Sequence, residues 1–116
     1  MNELKVIEEV ITTRTPISFE YVRERKTPGD RIGNPHAVYL RKLQSGEKKV
    51  YLDVWQTGGV TDSRKGDSKK GELPGWTTCF LDDVVNIELK ADEAPFDITT
   101  NYNPHADKFK FAIAKI

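Results

Sequence analysis

Val50-Tyr51-Leu52-Asp53-Val54-Trp55 is the stretch whose reading decides the fold. It follows a second alternating run, Ala37-Val38-Tyr39-Leu40-Arg41, across the turn Gln44-Ser45-Gly46-Glu47. A period of two on both sides of a glycine-containing turn predicts two antiparallel strands. One face then carries Val38, Leu40, Val50, Leu52 and Val54, an ordinary core. The other carries Tyr39, Arg41, Tyr51, Asp53 and Trp55. That second face mixes rings with charges, as a small ligand-binding sheet requires.

Working outward, residues 3–13 read as one helix. Leu4, Ile7, Val10 and Ile11 recur at helical spacing, and Thr12-Thr13-Arg14-Thr15-Pro16 ends the run, with Asn2 as a candidate N-cap. Ile17, Phe19 and Tyr21 then switch to strand spacing. Pro28-Gly29 marks a turn. Strands are predicted at about 17–22, 36–43, 48–57, 76–81, 84–90 and 108–116, the last with Phe109, Phe111 and Ile113 on one side. Residues 57–75 are the one long segment of low hydrophobicity, a loop or extended hairpin tip. The fold class is therefore mainly β: five or six short antiparallel strands and one N-terminal helix, in a single domain covering residues 1–116. So many short strands favour curling into a small barrel, because open edges invite aggregation. The tetrapeptide Asn-Pro-His-Ala occurs twice, at 34–37 and 103–106, each copy expected to precede a strand.

Composition narrows the function classes. The 18 basic residues equal the 18 acidic ones, so any binding to nucleic acid has to come from a local patch. Cys79 is the only cysteine, so no internal disulfide forms, which fits a reducing cytoplasm. The start of the chain lacks a signal-peptide pattern, and no apolar run has the length of a membrane span. A cytoplasmic protein without a membrane partner is the expectation.

The order of motifs resembles the WYL domain, a bacterial and phage module named after a Trp-Tyr-Leu tripeptide. Residues 17–22 look like its first strand, and Arg31 followed by Asn34-Pro35-His36 like its step into the second. Val50-Tyr51-Leu52 stands at the tripeptide, Leu81-Asp82 within the family's Phe-Arg-Leu-Asp-Arg-Ile stretch, and Phe96 at its closing Phe. The resemblance covers roughly residues 5–97. It implies a small Sm-like β-barrel that senses a ligand, often a nucleotide or single-stranded nucleic acid, and modulates a regulator or defence system. The chain departs from the pattern at four positions. Val50 replaces the tripeptide Trp, Cys79 replaces a Phe, and Phe80 and Asp83 replace two arginines. Losing two guanidinium groups weakens any phosphate contact made there. With one helix and no helix-turn-helix, duplex DNA reading is not expected.

The candidate ligand-binding residues are Arg31, His36, Tyr51 and Asp53, flanked by Tyr39 and Arg41. Arg31 either grips a phosphate or carboxylate or pairs with Asp30 or Glu47. A histidine after proline at a strand start is more often a structural hydrogen-bonder than an acid–base group. Trp55 and Trp76 read as core rings. Arg64, Lys65, Lys69 and Lys70 form a basic cluster whose commonest role is a solvated tip. Catalysis finds little support: Asp82 and Asp83 are adjacent and point to opposite faces of a strand, and no nucleophile signature surrounds Cys79. No metal or other cofactor is predicted. A protein partner or a homo-oligomer, pairing through the C-terminal strand, is the alternative function.

Overall fold

The computed structural model describes residues 3–62 and 72–116. Asn2 and the cluster Arg64, Lys65, Lys69 and Lys70 lie outside the described residues. The chain is mainly β, with six antiparallel strands in one sheet and one N-terminal helix, as the sequence predicts.

Helix α1 spans Glu3–Thr13 and buries Ile7, Val10 and Ile11, the stripe its spacing implies. It ends in a Schellman motif. Arg14 turns left-handed at φ 56°, its N–H donates to Ile11 O at 3.3 Å, and the Thr15 N–H donates to Val10 O at 2.9 Å. Pro16 then prevents continuation. The strands are β1 Ile17–Tyr21, β2 Asp30–Lys42, β3 Lys48–Gly59, β4 Gly75–Phe80, β5 Val84–Leu89 and β6 Ala112–Lys115.

Two boundaries differ from the sequence reading. β2 starts at Asp30 rather than near 36, because residues 30–33 find a partner in β1 that local pattern does not reveal. The C-terminal strand is only β6. A 3₁₀ turn at Asp107–Phe109 precedes it, burying Phe109 at 6 % exposure while Phe111 stays 64 % exposed, so the two rings do not share a side.

The strand order is β4-β3-β2-β1-β5, with β6 also paired to β2. One edge of β2 is thus divided: β1 takes Asp30 to Gly33, and β6 takes Ala37 to Tyr39. The changeover falls on Asn34-Pro35-His36, where Pro35 has no N–H to donate and the β2–β3 register shifts. The first Asn-Pro-His-Ala copy therefore lies inside a strand; the second precedes the 3₁₀ turn.

β4 and β5 are the outer strands of the five-strand path, yet only the 3₁₀ turn Leu81–Asp83 separates them in sequence. In a flat sheet they would be about 19 Å apart. The four residue steps from Phe80 to Val84 reach at most about 14 Å. The sheet must curl. Two bonds hold the curl: the Phe80 N–H donates to the Tyr21 hydroxyl at 3.0 Å, and the Val22 N–H donates to Asp83 O at 2.9 Å. No ladder joins β4 to β5 among the described residues, so the sheet is curled but not closed into a barrel. Asp82 and Asp83 lie in the turn rather than on a strand, and Asp83 pairs with Arg23 at 2.9 Å.

The concave face holds the main core. Val38, Leu52, Val54, Ile17, Phe19, Cys79, Leu81 and Val84 meet α1 there. A smaller cluster of Ala37, Tyr39 and Phe109, with Tyr51 and Tyr102 against it, lies on the other side of β2 and β3.

Candidate functional site

The face predicted to bind ligand is occupied by the fold's own residues. Tyr39 stacks on Tyr51 at 5.6 Å between ring centroids and meets Phe109 edge-on at 5.1 Å. Its hydroxyl donates to Asp53 Oδ1 at 2.9 Å, and Thr78 donates to the same oxygen at 3.0 Å. Lys108 Nζ lies 2.6 Å from the other oxygen, Asp53 Oδ2. Asp53 is only 2 % exposed, so these three donors supply what water would otherwise give its carboxylate. Burial, followed by the neighbouring Asp53 charge, pushes the Tyr39 phenol well above its ordinary value, so it stays protonated and donates.

His36 is also committed to the fold. It is fully buried, stacked on Phe96 and edge-on to Trp76 and Tyr102, each at 5.1 Å. The Thr99 N–H donates to its Nε2 at 3.1 Å, so Nε2 carries no proton. Nδ1 therefore holds the proton and donates to Asn34 O at 2.8 Å. Burial lowers its pKa, against smaller opposing effects of the Asn34 carbonyl and Asp53. The neutral ring pins residues 96–102 over the changeover in β2. Arg41, by contrast, is exposed near the β2–β3 turn.

Among the predicted site residues, Arg31 lines a cleft while buried. The cleft measures about 210 Å³ and is walled by Tyr21, Lys26, Gln56, Asp62, Trp76 and Thr77 among others. Arg31 is 1 % exposed. Its Nη2 donates to Asp62 Oδ1 at 2.8 Å and more distantly to Thr27 O at 3.4 Å. Its Nε, also buried, has no partner among the described residues. The guanidinium is thus held by one corner, and the two-pronged grip that suits carboxylate or phosphate is incomplete. Its partner is Asp62 rather than Asp30 or Glu47.

Asp62 also accepts the Thr27 N–H at 2.8 Å and lies 3.8 Å from Lys26 Nζ. Burial pushes its carboxyl up, but the Arg31 and Thr27 hydrogen bonds and the nearby cations outweigh that and hold it below the usual range. Gln56 is fully engaged: it donates to Gly58 O and Val60 O and accepts the Thr77 hydroxyl at 2.7 Å. Trp76 forms a partly open wall, 38 % exposed, rather than a core ring, and it meets the half-buried Trp55 edge-on at 5.2 Å.

Sequence reasoning did not single out Asp62, Lys26 or Gln56. Gln56 carried a signal, being polar at the next core-facing position after Val50, Leu52 and Val54. Asp62 carried none, since it sits in a polar stretch. Cys79 is buried, and burial pushes its thiol up to about 12, so it is not a thiolate nucleophile at neutral pH. Among the described residues no group of three or more His, Cys, Asp or Glu is placed to hold a metal ion, and no helix is long and apolar enough to cross a membrane.

No protein-family model, curated protein or solved structure matches this chain.

Proposed function

We propose that this chain is a non-enzymatic, WYL-like ligand-sensing domain of Sm-like barrel type, with the Arg31 cleft as its sensing site. The observation that carries the reading is the buried Arg31 Nε, without a partner among the described residues, beside an open cleft. Buried polar atoms are nearly always satisfied, and an orphaned one at a cleft favours a missing partner. An anionic oxygen there would take Nε while a second took Nη2 in place of Asp62. The cleft is below the usual size of a small-molecule pocket, which favours a compact group such as the phosphate end of a nucleotide. The strand order and the short β4–β5 turn support the barrel type. The buried, protonated thiol of Cys79 supports a non-enzymatic role.

The test is calorimetric titration with inorganic phosphate and with mononucleotides at low salt. Binding that Arg31→Ala abolishes and Arg31→Lys weakens is the expected result, since lysine lacks the planar fork. Binding that survives Arg31→Ala, or none to the wild type, would refute it. The assembly reading, pairing through the C-terminal strand, loses Phe109 to the 3₁₀ turn but keeps the exposed Ile113 on β6, which among the described residues pairs with β2 alone. Sedimentation separates the two readings: a mass that rises with concentration favours assembly.

A further inference from the structure

At the far end of β2 from Arg31, the β2–β3 hairpin places cations opposite one another. Arg41 faces Lys49 across the ladder, and Lys42 faces Lys48. Like charges directly opposite destabilise a hairpin. Glu47 relieves only Lys49, at 3.3 Å. Arg41, Lys42, Lys48 and the neighbouring Lys110 make no ion pair among the described residues. One acid, Asp107, lies at the margin. In a chain of zero formal net charge this is a local excess of positive charge, and Lys110 Nζ lies 5.8 Å from the centre of the Phe111 ring.

Within that patch stands Phe111, at 64 % the most exposed large apolar side chain among the described residues. Its backbone is fixed, because the Leu40 N–H donates to Phe111 O at 3.0 Å. Its ring borders two shallow hollows of about 210 and 270 Å³, both also lined by Leu40, Arg41 and Lys42.

We infer that this end of the sheet is a binding surface for single-stranded nucleic acid, distinct from the Arg31 cleft. Cations without ion-pair partners among the described residues, around one exposed ring on a held backbone, suit a strand that offers phosphates and unstacked bases together. A duplex keeps its bases stacked, leaving Phe111 nothing to cover. A bilayer rewards several apolar side chains inserting together, and the patch has one ring.

The experiment is fluorescence anisotropy with labelled single-stranded RNA and DNA dodecamers on the full chain, across a salt series. Four phosphate contacts give a log–log salt slope of about −3. Lys48→Glu should weaken binding roughly tenfold while holding or raising the melting temperature, because it replaces a repulsive cross-strand pair with an attractive one. Phe111→Ala should weaken binding about fivefold or more. Lys5→Glu, an equal charge change on the exposed side of α1, should leave affinity within about twofold at 0.15 M salt, where distant charges are screened. The inference is overturned by no binding at low salt, by equal losses in Lys48→Glu and Lys5→Glu, or by equal or tighter binding of the matched duplex. Binding to phosphatidylserine vesicles without binding to either single strand would overturn it too.

Discussion

Acidification from pH 7.5 to 5.5 should destabilise this protein through His36. The folded state holds the ring neutral, with Nε2 accepting from Thr99 and the whole side chain out of water. Protonation there would turn an acceptor into a donor facing another donor. The unfolded chain takes up that proton near pH 6.5, whereas burial keeps the folded pKa below this value. The unfolded state therefore binds more protons below 6.5, and stability rises with pH up to that point and levels off above it. The linkage slope of about 1.4 kcal/mol per pH unit below the unfolded pKa caps the loss by pH 5.5 at about 1.4 kcal/mol. For a domain of this size that ceiling corresponds to a fall in melting temperature of roughly 5 °C. The assay is calorimetric melting at half-unit pH steps, in the wild type and in His36→Gln. The variant should be less stable at pH 7.5 but should lose the slope between 7.5 and 5.5. An equal slope in wild type and His36→Gln, or a wild type that melts higher in acid, would refute the reasoning.

Three further outcomes follow from the packing. Lys108→Ala leaves the buried Asp53 carboxylate with hydroxyl donors and no counter-charge. The cost should be about 1–3 kcal/mol by urea unfolding, below that of a fully buried pair because the Lys108 side chain is 40 % exposed. Gly33→Ala should cost more than about 2 kcal/mol, because a Cβ there would lie 2.5 Å from Val54 Cγ1 and 2.8 Å from the Trp55 carbonyl oxygen. Cys79 should resist Ellman's reagent in the native state at pH 8 and react on unfolding in urea; rapid native reaction would contradict the buried, protonated thiol.

The elements most legible in the sequence were those with strong periodicity. Ile7, Val10 and Ile11 announced a helix face, and the alternation from Val50 to Val54 announced a core strand, because local burial patterns repeat with the element's own period. The split edge of β2 was not legible, since pairing of Asp30–Gly33 with β1 and of Ala37–Tyr39 with β6 is set by contacts distant in sequence. The alternation places Tyr39, Tyr51 and Asp53 on one face, but nothing local in it reveals what covers them. Phe109 and Lys108 reach it only because a 3₁₀ turn replaces the start of the expected last strand. Arg31 was singled out from its motif position. Its partner Asp62 was hidden, 31 residues away in a polar stretch that looks like solvated loop.

We propose that Arg31 and its cleft hold the small anionic ligand, while His36, Tyr39 and Asp53 serve the fold. Amide and arginine Nε–Hε NMR spectra recorded during titration with a mononucleotide test it most directly. The predicted result is a set of saturable shifts at Arg31 Nε–Hε, the Thr27 amide that now donates to Asp62, and Gln56, with Tyr39, Tyr51 and Asp53 unmoved. Shifts centred on Tyr39 and Tyr51 with Arg31 silent, or no shifts anywhere at millimolar ligand, would contradict it.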